Sequence, residues 1–143
     1  MKHITPKTYT NPIFPYRRHP DQDAKQPAHH QVVIVGAGPV GIVLALELAR
    51  FGVRSVILDD NNTVSVGSRA ICFAKRSLEI LHRHGIAQRM MEKGVSWNVG
   101  KLYHGERLLN EFNLLPEPGH MYPAFVNIQQ YYMEEYAVDA VGE

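Results

Sequence analysis

The stretch VVIVGAGPVGIVLALELARFGVRSVILDD, residues 32–60, decides the fold of this chain. Its first four residues are apolar and β-branched, a pattern typical of a strand that is buried on both faces. Between Gly41 and Phe51 only Glu47 and Arg50 are charged, which predicts an apolar helix that needs a sheet to cover it. The apolar run SVIL then supplies a second strand. A strand, a helix and a strand within about 30 residues predict a right-handed βαβ unit with a parallel sheet, the start of a Rossmann-like α/β fold.

Three glycines between the first strand and the helix have the spacing of a dinucleotide-binding loop. Gly36 allows a tight turn, Gly38 lets the backbone approach a pyrophosphate, and Gly41 lets the helix pack close to the strand. The start of the helix offers free N–H groups and the positive end of its dipole to phosphates. The predicted cofactor-binding residues of this loop are Gly36, Ala37, Gly38, Pro39, Val40 and Gly41. The chain has no GxxxxGK sequence, which excludes a P-loop.

Two acids follow the second strand, and one of them is a candidate ligand of an adenosine ribose. Asp59 lies 23 residues after Gly36, the distance at which a carboxylate accepts hydrogen bonds from ribose hydroxyls. Strand alternation turns Asp60 to the other side. Since FAD and NAD(P) are both bound by this arrangement, the motif by itself leaves the choice of dinucleotide open.

Composition and charge exclude several classes of protein. With 143 residues, 45% of them hydrophobic, the chain has room for one globular domain. A net charge of +1 argues against a nucleic-acid partner. The chain has a single cysteine, so no internal disulfide is predicted. It has no Cys-x-x-Cys sequence, and its His29-His30 pair is typical of a linker, so no metal site is predicted either. No stretch is long and apolar enough for a membrane helix, so we expect a cytoplasmic protein.

The distribution of prolines predicts two parts. Residues 1–30 hold 5 of the 9 prolines, which predicts an irregular N-terminal arm. This arm is either a disordered leader or, through its apolar piece NPIFPY, a docking segment. Residues 31–143 are expected to form the nucleotide-binding domain. They continue with two helices ended by Gly85 and Gly94, a β-hairpin around Gly105, a strand AFVN and a last helix.

Three further features resemble a known family. The glycine loop extends to Ala45 and Gly52, a spacing that resembles the fingerprint of FAD-binding flavoproteins. The segments VGSRAICFAKRSLEILHRHG and YPAFVNIQQYYMEEYAVDAV resemble the corresponding segments of the single-component, FAD-dependent aromatic hydroxylases. The resemblance implies cofactor contacts for Arg69 and Ala70 in the first segment and for Gln129 in the second. The sequence departs from the family at Asp59, where glutamate is more common.

The resemblance also implies a chemistry. In this family NAD(P)H reduces the bound FAD, and O2 is then used to hydroxylate a small phenolic or other aromatic substrate. An Asp-Gly motif, a Gly-Asp motif and a substrate domain lie downstream, and neither dipeptide occurs here. We therefore expect the N-terminal part of such a monooxygenase, with a truncated sheet and no activity by itself. Its catalytic residues are unknown, and a homo-oligomer of the full-length protein stays open.

Two other functions stay open from the sequence. Asp59 also suits an NAD(P)-dependent Rossmann dehydrogenase, because an acid at this position binds the ribose of NAD. The missing motifs and the proline-rich arm equally suit a nucleotide-binding fragment without enzymatic activity.

Overall fold

The computed structural model describes residues 9–67 and 69–142. Its strands and helices are, in chain order, β1 Val32–Val35, α1 Pro39–Arg50, β2 Ser55–Leu58, β3 Cys72–Ala74, α2 Lys75–His82, α3 Ile86–Lys93, β4 Val95–Trp97, β5 Val99–His104, β6 Arg107–Asn113, β7 Phe125–Asn127 and α4 Gln130–Gly142. A short 3-10 turn, Pro20–Gln22, precedes them. Within these residues, every helix is too short or too polar to cross a lipid bilayer.

β1, α1 and β2 form the predicted βαβ unit. The two strands run parallel, in a register that pairs Val32 with Ser55 and Val35 with Leu58. α1 begins at Pro39, slightly before the predicted start. Proline is favoured in the first turn of a helix, because the N–H that it lacks would have no partner there. The Rossmann-like α/β prediction is therefore confirmed.

β1 is less buried than its apolar sequence predicts. Ile34 is buried, whereas Val33 and Val35 are 49% and 86% exposed. In the described part of the chain the parallel sheet has two strands, so its edges and much of one face are open. The prediction that this strand is buried on both faces is wrong for that reason.

β7 belongs to a second sheet. It pairs antiparallel with β3 on one side and with β4 on the other. The strand predicted at AFVN is confirmed, and it lies in this antiparallel sheet rather than in the parallel one. The sequence pattern does not predict β3, because this strand is defined by its pairing with β7, a segment distant in the chain.

The main hydrophobic core lies where α1, α2, α3 and α4 meet β7. Its buried members include Ile42, Leu78, Met90, Val126 and Met133. The two predicted middle helices, α2 and α3, are confirmed and end near Gly85 and Gly94. The core thus fixes α1 and α4 side by side, and Glu134 and Val138 of α4 line the same cavity as the glycine loop.

The predicted β-hairpin is confirmed as β5 and β6. His104 pairs with Arg107 across a two-residue loop, Gly105-Glu106. Gly105 has a φ of +58°, a value that favours glycine at the first position of a tight hairpin turn.

The described part of the N-terminal arm docks on the protein itself. Residues 9–14 lie against the loop that follows β2 and against α4. Apart from its 3-10 turn and one isolated β-bridge, the arm is irregular, as its prolines predict. The first eight residues of the predicted arm lie outside the described residues.

Candidate nucleotide-binding site

The glycine loop turns the chain at the carboxyl ends of both parallel strands. Gly36 has a φ of +103°, a conformation that side chains other than glycine rarely adopt. Its N–H donates a hydrogen bond of 2.7 Å to the carbonyl of Leu58 at the end of β2. The loop is therefore anchored to both strands at the edge where α/β sheets bind ligands.

The other two glycines of the motif differ in what surrounds them. A Cβ atom at Gly41 would collide with the carbonyl oxygen of Gly36, and it would crowd the side chain of Ile34. A Cβ atom at Gly38 would meet nothing within 4 Å. Gly41 thus serves the close packing of helix on strand, whereas Gly38 faces open space that a ligand could fill.

The N-terminus of α1 lies directly behind this open space. Gly38 is the N-cap residue and its carbonyl accepts a hydrogen bond of 3.0 Å from the Ile42 N–H. Because Gly38 has no side chain to cap the helix, no side-chain oxygen competes for the first-turn N–H groups. Such a helix start favours an anion such as a pyrophosphate.

Asp59 is bonded to the glycine loop. One oxygen of its carboxylate accepts a hydrogen bond of 2.6 Å from the Ala37 N–H, and the other accepts one of 2.8 Å from the Asn61 N–H. These bonds, the Ala37 bond foremost, hold the pKa of the Asp59 carboxyl below its ordinary value of 3.8. Asp59 is therefore ionised at neutral pH and lies next to the loop.

A cavity of about 460 Å³ lies beside these groups. It brings together four of the predicted residues, Ala37, Gly38, Asp59 and Arg69. The rest of its wall comes from the arm, from the loop after β2 and from α4. A guanidinium, a carboxylate and a glycine loop around one cavity suit a ligand that carries both phosphates and sugar hydroxyls.

A buried glutamate that the sequence analysis missed organises one side of this cavity. Glu134 of α4 is 3% exposed. Its carboxylate accepts hydrogen bonds from the Ser65 N–H at 2.6 Å, from the Ser65 hydroxyl at 2.7 Å and from the Gln130 amide at 2.6 Å. Nothing local in the sequence signals this role, because Ser65 and Glu134 are 69 positions apart.

The other predicted residues are not part of the wall of this cavity. Pro39 and Val40 line a separate depression together with residues of α2 and α4. Ala70 is held against α4 by Gln130, which accepts from the Ala70 N–H at 3.2 Å and donates its own N–H to the Ala70 carbonyl at 3.1 Å. The predicted residue Gln129 directly precedes α4. The bonds that join the Ala70 segment to α4 are made by its neighbour, Gln130.

One group of side chains has the composition of a metal site, although the sequence predicts none. Donor atoms of His19, Asp21 and His30 lie within 4.8 Å of one another in the arm. They already bond to each other and to the backbone. His30 Nε2 lies 2.6 Å from the Asp21 carboxylate, and Asp21 also accepts from the Ala28 N–H at 3.1 Å. These hydrogen bonds account for the grouping.

Comparison with known proteins identifies relatives that share this unit. Residues 29–140 match the family model described as FAD binding domain. A flavin-dependent monooxygenase of Mycobacteroides abscessus is 33% identical over 120 residues, which cover 78% of this chain and 25% of that protein. A para-nitrophenol 4-monooxygenase of Pseudomonas sp. is 36% identical over 64 residues, 45% of this chain and 16% of that protein.

A solved structure has the same fold. The crystal structure of the p-nitrophenol 4-monooxygenase PnpA from Pseudomonas putida superposes with a TM-score of 0.69 at 27% identity. The match covers 79% of this chain and 29% of that one. The chain thus spans about a quarter of the length of the first curated relative and of the solved structure that it matches.

Proposed function

We propose, on the premise that this chain belongs to the FAD binding domain family, that it binds the ADP part of FAD within a flavin-dependent monooxygenase. The observation that carries the proposal is the cavity in which Gly38, Asp59 and Arg69 meet at the carboxyl ends of β1 and β2. Its size and its donors fit an adenosine diphosphate. The open space beside Gly38 is the feature that best fits a pyrophosphate, since a Cβ there would occupy the path of that group.

Each residue of the cavity has a role in this proposal. The pyrophosphate lies against Gly38 and the first turn of α1, where N–H groups and the helix dipole stabilise its charge. Asp59 accepts hydrogen bonds from the ribose hydroxyls. Arg69 supplies a positive charge to the phosphates or to the flavin end of the cofactor. Ala70, before β3, and Gln129, just before α4, are proposed to lie beside the flavin part of the cofactor.

The co-substrates are proposed from the family resemblance, and the substrate class from the names of two relatives. FAD supplies the redox and oxygen chemistry of the family, for which NAD(P)H is the reductant and O2 the oxidant. Two of the matched proteins are named for para-nitrophenol, which supports a small aromatic substrate. The part of the work that we propose for this chain is to bind and orient the adenosine end.

Asp59 supports a second candidate, an NAD(P)-dependent dehydrogenase, because an aspartate at the end of the second strand suits the ribose of NAD. The family match favours FAD over this alternative.

Titration of the chain with FAD, followed by flavin fluorescence, tests the proposal, with NADH titrated in parallel. We expect saturable binding of FAD and weaker binding of NADH. Asp59→Ala should weaken FAD binding by about 1–3 kcal/mol, the scale for a lost hydrogen bond to a charged group. Binding of NADH without FAD would favour the dehydrogenase, and binding of neither would contradict the proposed function.

A further inference from the structure

We propose that residues 9–14 of the N-terminal arm are part of the adenosine-binding site, with Phe14 as the surface on which the adenine ring packs. This inference rests on the proposed function. The arm segment lies outside residues 29–140, the part that matches the family. It would therefore be an addition of this protein to the shared cofactor-binding unit.

The arm is fastened to the loop that forms one wall of the cavity. The Phe14 N–H donates to the Asn62 carbonyl at 2.7 Å, and the Thr63 hydroxyl donates to the Pro12 carbonyl at 2.6 Å. The side-chain amide of Asn11 donates to the Val64 and Ser65 carbonyls at 3.3 and 3.2 Å. These bonds involve backbone on both segments, so they fix where the half-buried Phe14 lies.

The arm is also fastened to α4, which contributes Glu134 and Val138 to the wall of the cavity. The ring of Tyr9 stacks on Tyr131 with a centroid distance of 4.1 Å, and its hydroxyl donates to Glu135 at 2.7 Å. Burial and this bond raise the pKa of the Tyr9 phenol above its ordinary value. The arm thus bridges two elements that both line the cavity.

The polar and apolar groups of the cavity lie in a distribution that favours the apolar part, at Phe14, as the position of the adenine base. Gly38, Asp59 and Arg69 supply what a pyrophosphate and a ribose require. Phe14 and the valines of the loop after β2 supply apolar surface in the same cavity. A heteroaromatic base stacks on such a surface, and an aromatic ring is the best partner for it. Since the ligand would contact the arm, ligand binding and arm docking should stabilise each other.

Substitution of Phe14 tests the inference, with ADP and FAD as probes and the full chain as the protein. Phe14→Ala should weaken the binding of both ligands by a similar factor, about tenfold, because both contain the adenosine. Tyr16→Ala is the matched control. Tyr16 is an aromatic residue of the same arm, it is 71% exposed, and it bonds to Gln22 within the arm. This control should leave both affinities unchanged.

A second measurement decides the question if Phe14→Ala does not fold. Hydrogen exchange of the Phe14 amide in the unmodified chain should slow when ADP saturates it, because the bound base holds the arm in place. Unchanged affinity in a folded Phe14→Ala variant, or unchanged exchange on ADP binding, would overturn the role of the arm. The proposed function fails separately, since it requires the unmodified chain to bind FAD.

Discussion

At the scale of single residues, the glycines of the loop have two different surroundings, tight packing at Gly41 and open space at Gly38. Gly41 is required by the fold, because a Cβ there would collide with the Gly36 carbonyl. The fold does not require glycine at position 38, because a Cβ there meets open space and its φ of −74° suits any residue, so under the proposed function the requirement comes from the ligand. The spacing of the motif already predicts a ligand role for Gly38 and a packing role for Gly41, and the space around each glycine fits that division.

Valine substitutions at these two positions should therefore affect different properties, FAD binding at Gly38 and stability at Gly41. Gly38→Val should abolish FAD binding and leave the free energy of unfolding nearly unchanged. Gly41→Val should lower that free energy by about 1–3 kcal/mol or more, the cost of overpacking against rigid backbone. Flavin fluorescence measures the first effect and urea denaturation the second. Normal FAD affinity in Gly38→Val would mean that the pyrophosphate binds elsewhere.

At the scale of elements, α4 does more than complete the core. It contributes Met133 and Ala137 to the core, Tyr131 to the docking of the arm, and Glu134 to the wall of the cavity. Its sequence predicts a helix, but its period does not reveal that a buried carboxylate there holds a loop 69 positions away. A charge at a buried position requires several donors, and these donors can be identified only when the loop and the helix are seen together.

Removal of the Glu134 carboxylate should loosen this wall. Glu134→Ala leaves the Ser65 N–H and the Gln130 amide without their acceptor, which should lower the free energy of unfolding by about 1–3 kcal/mol. Glu134→Gln retains one acceptor oxygen and should lose less. Urea denaturation of the two variants beside the unmodified chain measures the difference. An alanine variant as stable as the unmodified chain would show that the network contributes nothing net.

At the scale of the whole molecule, hydrogen bonds between side chains join elements that are distant in sequence. His84, after α2, lies 2.9 Å from Glu47 of α1, and its side chain is 5% exposed. The His84 bond, aided by Arg50 and Arg83, lowers the pKa of Glu47 below its ordinary value of 4.5. A carboxyl with a lowered pKa stabilises the folded state fully above its unfolded pKa, and this contribution is lost as the pH falls through the folded pKa.

Acid should therefore erase the effect of a substitution at Glu47. Glu47→Gln should be less stable than the unmodified chain at neutral pH, and the gap should close as the pH falls below 4.5. Urea denaturation from neutral pH to about pH 3 measures the gap. Glu106→Gln, in the exposed turn of the hairpin, is the control and should show no gap. A gap at Glu47 that persists in acid would contradict the role of its charge.

The sequence predicts the features that depend on residues close together in the chain and misses those that depend on distant segments. The βαβ unit, the glycine loop and the position of Asp59 depend on contacts within about 30 residues, and they are recovered from spacing. β3, the antiparallel pairing of β7 and the Glu134 network depend on segments that meet only in the folded chain. The sequence leaves two interpretations of the arm for the same reason, because its apolar residues do not indicate which surface they contact.

The bond between Asp59 and Ala37 joins the end of β2 to the loop after β1. A ribose that shares the Asp59 carboxylate must alter this bond, while a pyrophosphate changes the field at the same amide. Under the proposed function, the Ala37 N–H would therefore lie between the two halves of the ligand. Its amide resonance would serve as a native spectroscopic probe, sensitive at a single nucleus to both the sugar and the phosphates without any added label.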